Sequence, residues 1–157
     1  MQFPQILVYE TDGLLAAILR DIAKTNRWAL REPRKASSCL RLLQPLCPSV
    51  LVLKIGTYPK REAGLPLKEE EEQRRAGERE KEQVHSLDLL ARVHEQFSDT
   101  AIVAVGDAED VGLTGLVCHF GASYVLVPPQ PRHLLLEIVI GLMHEAIGKC
   151  KLDFAEK

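Results

Sequence analysis

Five short apolar runs, each followed by a segment of a different period, constrain this chain more than any other feature. They are Ile6 to Tyr9, Trp28 to Arg31, Val50 to Leu53, Ala101 to Val105 and Tyr124 to Val127. Runs of this length, rich in β-branched residues, suit strands covered on both faces. The segments between them carry helical spacing. Leu15, Ile18, Leu19 and Ile22 mark a helix over 14–26, with Asp12 as its expected N-cap. Ser37 or Ser38 is placed to cap a short helix carrying Leu40, Leu42 and Leu43 and ending near Pro45. Leu87, Leu90, Val93, His94 and Phe97 mark one face of a third helix that starts at His85. A short, glycine-containing helix is expected from Val111 to Phe120, ended by Gly121. A strongly apolar helix runs from Leu134 to Ile147.

Strands alternating with helices predict a parallel sheet, and right-handed crossovers leave few topologies. The expected fold is α/β: a flavodoxin-like (βα)5 three-layer sandwich with sheet order 2-1-3-4-5. Its 157 residues read as one domain over 1–150 with a charged tail over 151–157. A charged insert follows the third strand, over 57–84, containing Lys68-Glu69-Glu70-Glu71-Glu72 and Glu78-Arg79-Glu80-Lys81-Glu82. It has too little apolar surface to fold alone, so a solvated helix or disorder is expected there. Its length for such a connection points to a spacer or to a recognition role.

The net charge of -2 gives no basic field for nucleic acid. Four scattered cysteines, Cys39, Cys47, Cys118 and Cys150, form no metal-binding spacing and fit a reduced cytoplasmic protein. The start, Met1-Gln2-Phe3-Pro4, lacks a signal-peptide pattern, and no apolar run spans a bilayer. The expected partners are therefore proteins, not nucleic acid or membrane, with no cofactor.

Four segments resemble response-regulator receiver domains. Ile6-Leu7-Val8-Tyr9-Glu10-Thr11-Asp12 is similar to that family's first strand and acidic pair, and Pro48 to Lys54 to its third strand and phosphoacceptor. Ala101 to Gly106 resembles the fourth strand and switch hydroxyl. Gly121-Ala122-Ser123-Tyr124-Val125-Leu126-Val127-Pro128-Pro129 resembles the fifth strand and its Lys-Pro pair. The resemblance implies an aspartate at position 54, where this chain has Lys54. It implies a Ser or Thr at Gly106 and a lysine at Pro128; Pro129 alone is kept. Glu10 retains one acidic ligand position, Thr11 replaces the other, and Asp12 lies one residue late.

Lysine cannot form an acyl phosphate. The resemblance therefore implies a degenerate pseudo-receiver, without enzymatic activity, that signals through protein contacts. Lys54, paired with Glu10 or Asp12, is expected to fill the former metal site as a structural cation. The resemblance also implies a homodimer or partner face on the last helices and fifth strand, with His119, Tyr124, Leu135, Val139 and Leu142 as candidates. The alternative is a small enzyme using Lys54 and Glu10, which would need a pocket at the carboxyl edge of the sheet.

Overall fold

The computed structural model describes residues 4–10, 13–46, 48–55, 68–128, 131 and 133–155. Its elements are β1 (Gln5–Tyr9), α1 (Leu14–Asn26), β2 (Ala29–Arg31), α2 (Ala36–Leu46), β3 (Val50–Lys54), α3 (Glu69–Gln96), β4 (Ala101–Val105), a 3-10 helix (Ala108–Leu113), α4 (Thr114–His119), β5 (Tyr124–Leu126) and α5 (Leu134–Ala155). The five strands form one parallel sheet in the order β2-β1-β3-β4-β5. This is the flavodoxin-like three-layer sandwich.

The period-two alternation of the strands divides the core into two halves. Ile6, Val8, Val50, Val52, Val103 and Val105 pack against α1 and α5. Leu7, Leu51, Leu53, Ile102 and Ala104 pack against α2, α3 and α4. Every residue of β3 is buried, as suits the central strand of a sheet covered on both sides.

Helix ends depart from the sequence expectation in instructive ways. Asp12 lies outside the described residues, and Gly13 occupies the N-cap of α1 with no side-chain cap of its own. The orphan amides are met from further back: Leu15 N and Ala16 N both donate to the Glu10 carboxylate at 2.8 Å. At α2, Cys39 N already donates to Lys35 O, so Ser37 and Ser38 sit inside the first turn rather than capping it. Pro45 falls within the final turn and does not stop the helix before it.

The third helix starts well before His85. It is a single element of 28 residues, about 42 Å long, whose first half is the charged segment. Glu69, Glu70, Glu71 and Glu72 occupy its first turn, where the helix dipole favours negative charge. The remainder of the insert, 57–67, lies outside the described residues. The last helix likewise runs on through 151–155, the segment expected to be a tail. Lys149 pairs with Glu145 one turn back at 2.9 Å, and Lys, Leu and Ala are good helix formers.

The surplus apolar surface of α5 is absorbed by its own sheet. Leu135, Val139 and Met143 are fully buried, and Leu134, Leu136, Ile138, Ile140, Leu142 and Ile147 pack around the same cluster. Among the described residues, no helix is long and apolar enough to cross a membrane.

Two thiols on the same side of the sheet are treated differently. Cys39 is buried under α2 and its pKa is pushed up to about 12 by burial, whereas Cys118 on α4 is exposed. At pH 8 roughly one Cys39 in ten thousand is then a thiolate. Iodoacetamide at pH 8 is expected to alkylate Cys118 in the native protein and Cys39 only after denaturation. Peptide mass mapping that finds both labelled at similar rates would refute this.

Candidate functional site at the carboxyl edge of the sheet

The described positions of the expected degenerate phosphorylation site fall on one rim, because parallel strands end on the same side. Glu10 follows β1, Lys54 ends β3, Gly106 follows β4, and Pro128 follows β5. Thr11, Asp12 and Pro129 lie outside the described residues.

Lys54 is positioned by register. It pairs with Val105 of β4, which places Gly106 and Asp107 immediately beyond its side chain. That side chain is only 6 % exposed, and its ammonium lies 3.8 Å from Asp107 Oδ2. An ion pair thus joins the end of β3 to the residue just past β4, a partner the sequence did not suggest. Glu10 is 2 % exposed and places one carboxylate oxygen on each of two α1 amides. Its carboxylate caps the start of α1.

Asp107 opens the 3-10 helix in a reciprocal capping arrangement with Asp110. Asp107 N donates to Asp110 Oδ2 at 2.8 Å. Asp110 is fully buried, and its other oxygen accepts from Gln83 Nε2 at 3.0 Å. Ser86, one turn further along α3, donates to the Lys54 carbonyl at 3.5 Å. A polar cluster thus links the central strand, the turn after β4 and the third helix.

Gly106 is enclosed by the same cluster. Its N–H donates to Leu126 O at 2.9 Å. A Cβ built on it would lie 2.9 Å from Val127 Cγ1, 2.9 Å from Asp110 Cβ and 3.0 Å from Asp110 Oδ2. A hydroxyl-bearing residue has no room here unless Asp110 or Val127 moves. The missing side chain at 106 and the inward carboxylate at 110 are two aspects of one packing arrangement.

Sequence reading missed Asp107, Asp110, Gln83 and Ser86. A signal for the first two was present: an acidic residue three positions after an Asp, just past a strand, is a helix-start pattern. Gln83 and Ser86 carry no comparable local mark.

The structural comparisons fit this geometry. The chain superposes on the signal receiver domain of a protein from Vibrio parahaemolyticus assigned as a Luxo repressor, with a TM-score of 0.65 and 15 % identity over 96 % of this chain and 97 % of that one. A response regulator from Thermotoga maritima gives 0.65 and 15 % over 90 % and 98 %. The CheY-like receiver domain protein from Methanospirillum hungatei JF-1 gives 0.64 and 14 % over 94 % and 98 %. The chain has the receiver-domain fold. No family model and no curated protein matches the sequence.

The receiver fold implies a magnesium ion at this rim, and the described residues do not fit one. Magnesium needs hard oxygen ligands in near-octahedral array. Here the Glu10 oxygens hold α1, and a lysine ammonium stands beside Asp107. Among the described residues no group of three or more His, Cys, Asp or Glu is arranged to hold a metal ion.

Of the residues expected to form a partner face, only some are at the surface. Leu135 and Val139 are buried in the chain's own core, because they lie on the stripe of α5 that faces the sheet. His119 and Tyr124 are exposed, and Leu142 is half-buried. A groove of about 460 Å³ lies at the amino edge, lined by residues that include Ser49, Thr100, Ser123 and Lys149. It is at the opposite end of the sheet from Lys54, and so gives no support to an enzyme built on that lysine.

Proposed function

We propose that this protein is a phosphorylation-independent signalling module that uses the receiver fold for protein–protein contact. The observation that carries the reading is Lys54. It is the buried last residue of the central strand, with its ammonium toward Asp107, at the position where the resembled family has its acceptor carboxylate. The packing around Gly106 supports the same reading, since it leaves no place for a hydroxyl that would follow a phosphoryl group.

Cationic and metal groups neutralise the charge that develops in phosphoryl transfer, and the acceptor must be a nucleophile that forms the acyl phosphate. At this rim a lysine takes the acceptor's place, and among the described residues no group is arranged to hold a metal ion. The module then works without a covalent switch, in a reducing cytoplasm, through a surface offered to a partner or to a second copy. His119 on α4, Tyr124 on β5 and Leu142 on α5 are the positions of that face that remain at least partly exposed for it.

The test is incubation of the full chain with acetyl phosphate, and separately with beryllofluoride, each with Mg²⁺. Unchanged intact mass and an unchanged sedimentation coefficient are expected. A stoichiometric phosphoryl adduct, or a beryllofluoride-dependent change in assembly, would overturn the proposal.

A further inference from the structure

The inward face of α3 changes character along its length. Phe97, Val93 and Leu90 pack into the core, and the same face continues through Ser86 and Gln83. At these last two rungs, contact with the body includes hydrogen bonds instead of apolar burial. Beyond Gln83, toward the N-terminus, residues 68–74, Ala76, Gly77, Glu78, Glu80 and Lys81 are exposed. This arm gains no hydrophobic anchoring from them. A helix in that position is a marginal element, close to its own helix–coil equilibrium.

Gln83 is therefore the innermost residue of a marginal arm and a donor to the fully buried Asp110. Asp110 in turn holds the amide of Asp107, and Asp107 pairs with Lys54 on the central strand. Withdrawing a donor from a carboxylate that water does not reach is costly, and neighbouring bonds in a buried network respond together. We propose that the charged arm of α3 and the turn after β4 form one coupled device, with the Gln83–Asp110 hydrogen bond as the link. Whatever fixes the arm as helix also fixes Asp107–Leu113. Whatever unwinds the arm loosens that turn and the start of α4. This goes beyond the absence of phosphorylation. It gives the rim an input that does not pass through covalent chemistry, and it identifies the two-state element that such an input would bias.

Gly77 provides a clean test, because a Cβ there would meet nothing within 4 Å. Gly77→Ala adds helix propensity to the arm without adding a contact. Hydrogen–deuterium exchange of the full chain is compared for wild type, Gly77→Ala, Gln83→Ala and the double variant, with thermal melts confirming that each is folded. In Gly77→Ala, exchange is expected to slow by about fourfold in 69–82. It is also expected to slow, by a smaller factor, in 107–113. In the Gln83→Ala background the arm still slows and the turn does not. Slowing confined to the arm in Gly77→Ala overturns the coupling. Slowing of the turn that survives Gln83→Ala overturns the assigned link. No slowing in the arm overturns the premise that it is a helix near its coil state.

Discussion

Lys54→Asp, the substitution that restores the acceptor carboxylate of the resembled family, is expected to destabilise the protein by about 3–5 kcal/mol. The melting temperature should then fall by roughly 6–20 °C for a domain of this size. The reason is local electrostatics. Lys54 is almost wholly buried, and the groups facing it across β4 are the carboxylates of Asp107 and, through it, Asp110. Exchanging the ammonium for a carboxylate removes the Lys54 counter-charge from Asp107 and adds a like charge in a poorly solvated site. Lys54→Met separates the two contributions. It retains the apolar stem and deletes the charge, and because the Asp107 side chain is 31 % exposed and can hydrate, its cost should be smaller, about 1–2 kcal/mol. Chemical denaturation with intact-mass analysis after acetyl phosphate and Mg²⁺ is the measurement. The variant should be less stable and still unphosphorylated, since Glu10 remains committed to α1 and Gly106 remains enclosed. A Lys54→Asp protein as stable as wild type would refute the account of the rim.

How much of this was legible beforehand depends on the range of the interaction concerned. The sheet was legible because the alternation of apolar runs and helical periods is local and repeated five times. Lys54 was legible because it follows directly from the run that precedes it. Its partner was not. A pairing with Glu10 looked natural from two adjacent parallel strands, but Glu10 is drawn to the amides of α1, whose start curls back over it. The beginning of α3 was legible only as a choice between solvated helix and disorder, because a helix solvated all round has no hydrophobic period to detect. Only its Glu and Arg spacing and its acidic first turn carry a signal. The burial of Asp110 was invisible in principle, since it depends on Gln83, 27 positions earlier in the chain. Leu135 and Val139 failed as interface residues because a helix that is apolar on several sides does not reveal, from sequence, which side its own sheet takes.

Gly121 is the second position where a single atom should have a large effect. It was expected to end α4, and it does so with φ +113. Gly121 N donates to Cys118 O and Ala122 N to Val117 O, the paired bonds of a Schellman ending after Phe120. The same residue lies under the imidazole of His94, near the end of α3. A Cβ at 121 would overlap the His94 ring at Cγ and come within 2.5 Å of Nδ1 and 2.7 Å of Cβ. Gly121→Ala therefore meets two penalties, a backbone angle that suits glycine and a steric overlap against another helix. Together they should cost about 2–5 kcal/mol. Urea denaturation should show the loss as a lower midpoint with little change in slope. The two penalties separate in the double variant with His94→Ala, which removes the ring contacts but leaves Cβ and the backbone angle unchanged. Partial recovery relative to the sum of the single variants is expected, because the residues touch and their effects are not additive. A Gly121→Ala loss below about 1 kcal/mol would mean that the α4 ending can re-form without glycine. It would then follow that the close seating of α4 against α3, which carries the charged arm's helix past the rim, is not fixed at this point.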